Sequence, residues 1–146
     1  SNLSYAVGMT ATIFSKIVDR ELPAHIVYED EHTLAFLDTA PNTKGHTLVV
    51  PKKACENIFD CDSETLTHVM ETVRLIAPAV RDAVGATGVH INSNHGPEAG
   101  QEVPHLHFHI IPRHTREEFT FCWEKISPTP AELEDLATHI RTNLSS

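Results

Sequence analysis

Residues 104–114 read Pro-His-Leu-His-Phe-His-Ile-Ile-Pro-Arg-His. His105, His107 and His109 alternate with Leu106, Phe108 and Ile110. Successive side chains of a strand point to opposite faces, so a strand here sets three imidazoles on one side and an apolar row against a core. A helix would scatter the same rings around its axis. The preceding loop, Asn94-His-Gly-Pro-Glu-Ala-Gly-Gln101, carries Gly96 and Gly100. Glycine permits positive φ and close backbone approach, so the loop N–H groups are expected to converge on an anion, for which phosphate is the natural guest. A neutral imidazole nitrogen attacks phosphorus when an acceptor fixes the other ring nitrogen, and substitution then runs through a phosphohistidine. His107, central in the row, is the expected nucleophile, with its neighbours donating to phosphate oxygens and the departing group. Zinc ligation is the competing chemistry, since histidines at i and i+2 of a strand can share a metal.

The elements that must position these groups follow from periodicity. Ile13, Phe14 and Ile17 share a helical stripe and predict a short lid on the core. Residues 25–29 and 33–37 are β-rich runs joined by Asp30-Glu31-His32, a hairpin. A loop bearing Pro41, Asn42 and Gly45 leads into a third strand, His46 to Pro51. Asp62 or Ser63 caps a long helix whose apolar positions run from Leu66 to Val84, with Gly85 as its stop and Pro78 expected to kink it or remove one backbone bond. Residues 88–93 make a fourth strand, and a terminal amphipathic helix over 130–144 follows Pro128 and Pro130.

The chain has 146 residues and 40% hydrophobic content, enough for one domain with an ordinary core. Residues 1–8, ahead of Met9, are set aside as a disordered lead or remnant, leaving 9–146 as a single domain. A net charge of −9 argues against a broad nucleic-acid or anionic-membrane surface, so an anionic substrate must be held by local donors. Cys55, Cys61 and Cys122 form an odd set without Cys-x-x-Cys spacing, which fits reduced thiols and a cytoplasmic location. No stretch reaches the roughly 18 apolar residues of a membrane span.

The His-x-His-x-His-x-x pattern resembles the signature of the histidine triad (HIT) nucleotide hydrolases and transferases. Thr12-Ile-Phe-Ser-Lys-Ile17, Gly45-His-Thr-Leu-Val-Val-Pro-Lys52 and Ala99-Gly-Gln-Glu-Val103 occur in that family's order, and the likeness covers roughly residues 12–115. The resemblance implies an α+β fold with a five-stranded antiparallel sheet, and a homodimer joining two sheets into ten strands. It implies that His107 attacks the α-phosphorus of a purine nucleotide and that His109 serves the phosphate and leaving group, with His105 and His46 in support. Asp38 matches the position that holds the ribose hydroxyls, and Asn94, Gly100, Gln101, Glu102 and Val103 fall on the phosphate or leaving-group side. Ile13, Phe14, Phe36 and Thr39 match the purine slot, although core packing accounts for any one of them. Some bacterial members hold zinc where this chain has Thr12, Ser15 and Ala54, so no metal and no cofactor are expected. Glu102 stands where many relatives have Ser or Thr, and an inward carboxylate would repel phosphate.

Residues 12–53 look most like the nucleotide-binding (Hint-type) branch, which hydrolyses nucleoside phosphoramidates to a monophosphate such as AMP or GMP. Gly96-Pro-Glu-Ala-Gly-Gln101 is also similar to the dinucleoside polyphosphate hydrolases. A third reading is a nucleotide-binding scaffold that docks other proteins through Phe119, Phe121, Trp123 and the last helix. The plainer alternative packs that helix on the sheet or on a dimer seam.

Overall fold

The computed structural model describes residues 10–118 and 124–144. The lead at 1–8 and the aromatic cluster Phe119, Phe121 and Trp123 lie outside the described residues. Helix α1 (Ile13–Val18) opens on a capping box, in which the Ser15 N–H donates to Thr12 Oγ1 (3.1 Å) and the Thr12 N–H to Ser15 Oγ (2.7 Å). Strands β1 (Ile26–Glu29) and β2 (Thr33–Leu37) form the expected hairpin, and β3 (Thr47–Pro51) pairs with β2. Asp62 caps the 21-residue α2 (Ser63–Ala83) through the Thr65 N–H at 2.7 Å. That helix stays continuous through Pro78 and stops at Gly85, whose φ of +68° suits only glycine without strain. Strands β4 (Gly88–Asn92) and β5 (Phe108–Arg113) follow, then α3 (Pro130–Leu144).

The five strands form one antiparallel sheet in the order β1-β2-β3-β5-β4, giving the α+β architecture expected. Alternation along the strands builds two cores, one on each face. Ala35, Val49, Leu106 and Ile110 pack with Val69, Val73, Ile76 and Ala77 of α2. Leu34, Phe36, Leu48 and Val50 pack on the other face with Phe14 of α1, which is the lid expected there. A buried hydrogen bond between the Thr33 and Thr72 hydroxyls (2.7 Å) ties sheet to helix.

Two expectations need correction. The histidine row is not one strand: β5 begins at Phe108, and His105 and His107 precede it. Pro104 offers no N–H for a ladder, the His105 N–H turns back to Val103 C=O (2.9 Å), and the Leu106 N–H goes to Cys55 C=O (2.8 Å) instead of a strand partner. Alternation survives, because Leu106 and Ile110 still enter the α2 core while the imidazoles face the α1 side. Helix α3 does not pack on the sheet, as none of its residues is buried.

Candidate functional site

Placing β5 beside β3 sets His109 directly opposite Leu48, two residues from His46 on the same face. His46 Nε2 and His109 Nδ1 are 2.8 Å apart. The protons in this pair follow from one backbone group. Nδ1 of His46 accepts the Asn42 N–H (3.1 Å), so the neutral ring carries its hydrogen on Nε2 and donates it to His109 Nδ1. His109 therefore carries its own hydrogen on Nε2.

The same reasoning fixes the other two rings. His107 Nδ1 lies 2.7 Å from His105 C=O, which can only accept, so the Nδ1–H donates and Nε2 keeps its lone pair. The Ser93 hydroxyl donates to His107 C=O (2.7 Å) and steadies that backbone. His105 is 1% exposed, and its Nε2–H donates to Pro51 C=O (2.9 Å), so it acts as a post behind the site. The ring of His107 lies 4.8 Å from Phe14 and 5.0 Å from His109 between centroids.

Burial is the main reason that all four rings stay neutral. It holds His105 below its ordinary value against the pull of Pro51 C=O, and His107 below its own against His105 C=O and Asp38. His46 is lowered by burial while Asp38 opposes the shift. His109, desolvated and facing His107 and His46, is pushed down to about 4.

In front of these rings lies a cavity of about 550 Å³. Its lining includes Ile13, Phe14, Phe36, Asp38, Thr39, His46, Asn94, Gly100, Glu102, Val103 and His109. Most residues singled out in the sequence thus meet around one space. Phe14 and Phe36 also belong to the core, whereas Ile13 is half exposed and Thr39 exposed. His107 is not among the lining residues but its ring sits against two of them, Phe14 and His109, and Gln101 is not among them either.

The glycine loop behaves differently from the anion nest expected. Gly96 and Gly100 have positive φ, yet the N–H groups of Ala99, Gly100 and Gln101 donate to loop carbonyls, and that of Gly96 to Gln101 Oε1. The Gln101 amide also accepts from Asn57 Nδ2 and donates to Glu56 C=O and Val103 C=O, so it knits the loop to residues 56–57 and has no free position for phosphate. Among the described residues, no acceptor takes the N–H groups of Glu102 or Val103. Both residues line the pocket, so these are two backbone donors open to a ligand there, and the Glu102 side chain is exposed.

Asp38, His46 and His109 bring their ligand atoms within 4.8 Å of one another, a spacing a metal could use. The tautomers disfavour it. A metal on His46 Nε2 would have to move that hydrogen to Nδ1, which breaks the bond from Asn42. Asn42, Ser93 and Pro51 were missed in the sequence, because each acts through a backbone group or on one and residue type carries no mark of that. Asp38 Oδ1 takes the Ala40 N–H (2.9 Å), leaving Oδ2 3.6 Å from His46.

Comparison with known proteins agrees with this geometry. A family model described as "HIT domain" matches residues 19–116. "Protein hit" of Bacillus subtilis is 40% identical over 137 residues, 92% of this chain and 94% of that protein. "Adenosine 5'-monophosphoramidase hnt1" of Schizosaccharomyces pombe is 34% identical over 134 residues, 90% of this chain and 97% of its own. A crystal structure of a HIT family member from Bacillus subtilis superposes with a TM-score of 0.87 at 39% identity, covering 94% of this chain and 99% of that one.

Proposed function

The chain belongs to the HIT domain family, and from that premise we propose that it is a purine nucleoside 5'-phosphoramidate hydrolase releasing a nucleoside monophosphate. The observation that carries the reading is the lone pair on His107 Nε2, held there by the Nδ1–H bond to His105 C=O. That nitrogen attacks the α-phosphorus, the P–N bond of the nitrogen-protonated phosphoramidate breaks, and the amine leaves neutral with the proton it already carries, its freed lone pair accepting a hydrogen bond from His109 Nε2–H. His46 holds His109 in that tautomer. Water then cleaves the nucleotidyl-His107 bond, giving the monophosphate. The N–H groups of Glu102 and Val103, with Asn94, face the phosphate, Asp38 holds the ribose, and Ile13, Phe14, Phe36 and Thr39 flank the base.

The fission yeast relative, named as an adenosine monophosphoramidase, supports the phosphoramidate class. We also take the protein to act in the cytoplasm as a homodimer whose two sheets join into ten strands, β4 being an edge strand of the sheet among the described residues. The deciding experiment offers adenosine 5'-phosphoramidate and a diadenosine polyphosphate to the purified parent, His107→Ala and His107→Gly. Turnover of the phosphoramidate by the parent alone, with AMP binding kept in both variants, is the expected result. Preference for the polyphosphate moves the reading to the other branch. No turnover by any of the three leaves a scaffold.

A further inference from the structure

Two histidines outside the nucleotide site lie one on the other. His32 sits in the β1–β2 turn and His68 on the second turn of α2, and their rings stack with centroids 3.6 Å apart and planes 11° from parallel. Aromatic rings left to themselves settle edge-to-face or offset, with centroids about 4.5–7 Å apart, so the backbone and not ring attraction holds this pair so close. The anchors are visible. The His32 N–H donates to Asp30 Oδ1 (2.8 Å), and its C=O accepts the Lys52 N–H (2.8 Å). The next residue, Thr33, is bonded to Thr72, which stands one helical turn beyond His68 on the same face of α2. Both rings remain open to solvent, their side chains being 42% and 37% exposed. Among the described residues, no hydrogen bond reaches a ring nitrogen of either one.

We propose that His32 and His68 form a binding site for a zinc-like divalent ion, completed by the carboxylates of Glu31 and Glu64. Those carboxylates lie beside the ring nitrogens, Glu31 Oε2 3.9 Å from His32 Nε2 and Glu64 Oε1 3.9 Å from His68 Nε2. Two imidazoles and two carboxylates are the four donors of a tetrahedral centre, and the two negative charges balance a divalent cation. Two nitrogens on such an ion stand about 3.3 Å apart, nearly the separation at which the stack holds the rings. A bound ion lies in the plane of each ring, so both rings turn about χ2 from parallel to converge on it, which their exposure allows. The exposed Glu31 and Glu64 side chains swing in with them. Nitrogen donors favour a borderline ion over magnesium or calcium, which take oxygen.

The surroundings accept a cation. Lys52 and Lys53 enter the same cavity of about 180 Å³, but Glu29 (2.7 Å from Lys52 Nζ) and Asp62 pair their ammonium groups. The site lies on the α2 face of the sheet, opposite the catalytic imidazoles, and shares no residue with Asp38, His46 and His109. An ion there ties the β1–β2 turn to α2 and stabilises the fold as its concentration rises.

Calorimetric titration of ZnCl₂ into the full chain, first stripped of metal with a chelator, tests this without any reaction. The parent should take up a saturating equivalent that His32→Gln and His68→Gln each lack. The double variant should lose one equivalent and not two, because both histidines serve one ion. Glutamine keeps the size and polarity of these half-exposed side chains, and thermal melting reads each protein against its own zinc-free value. The rise in melting temperature that zinc gives the parent should shrink in all three variants by the same amount. Mg²⁺ should give neither the uptake nor the rise. No saturable uptake by the parent, uptake unchanged in either single variant, or two equivalents lost from the double variant overturns the proposal. So does a rise as large in the variants as in the parent, or an equal response to Mg²⁺.

Discussion

Acidification should destabilise the protein well before its carboxylates matter, and the histidine row is the reason. An imidazole in the unfolded chain titrates near 6.5, whereas His109 in the fold titrates at about 4. Between those values the unfolded chain binds a proton that the folded chain refuses, so stability is present above about pH 6.5 and drains away as pH falls toward 4. At about 1.4 kcal/mol per unit, His109 alone accounts for on the order of 3 kcal/mol, nearer 2 after allowance for its partial exposure. His46, His105 and His107 shift the same way and steepen the slope. The carboxyls of Glu29, Asp30 and Asp62 are held low by hydrogen bonds and ion pairs, so their loss belongs to more acidic conditions. Urea unfolding of the parent from about pH 7 to about pH 4.5 should show free energy falling by more than the His109 share alone. His109→Gln should flatten that slope by up to one proton. A parent stability that is level or rises on acidification would refute the claim that these rings are neutral and desolvated, and with it the lone pair on which the proposed chemistry depends.

Other consequences are more local. His46→Phe removes the donor that orients His109 and should cut kcat about 10- to 100-fold with KM nearly unchanged; equal losses in both constants would place His46 in binding instead. Gly45→Ala meets Val84 Cγ1 at 3.0 Å and Pro112 Cγ at 3.3 Å from a φ of +93°, so it should cost about 1 to 3 kcal/mol in denaturant unfolding. A loss under about 0.5 kcal/mol would mean that the loop moves away freely. Leu34→Ala empties a fully buried site between the strands and α1 and should cost about 2 to 5 kcal/mol, read as a lowered urea midpoint with unchanged m.

Local signals in the sequence determined much of the architecture. The stripe from Val69 to Ala77, a cap at Asp62 or Ser63 and the stop at Gly85 delimit α2 to within a residue or two, because a helix is closed by bonds between near neighbours. The alternation at 105–110 likewise assigned the imidazoles and Leu106, Phe108 and Ile110 to opposite faces even where no strand forms. That alternation could not show which nitrogen of each ring holds the proton. This was decided by the carbonyls of His105 and Pro51 and by the N–H of Asn42, backbone groups that every residue type presents alike. Nor could it show that β5 inserts between β3 and β4, which alone carries His109 to His46 across 63 positions of chain. Glycines at 96 and 100 announced a tight loop, and only the folded chain revealed that the N–H groups of Gly96, Ala99, Gly100 and Gln101 donate inward to the Gln101 side chain and to the loop's own carbonyls, while those of Glu102 and Val103 do not. Residue type fixes what a group is able to do; the partner that satisfies it is set by which distant backbone the fold brings within hydrogen-bond reach.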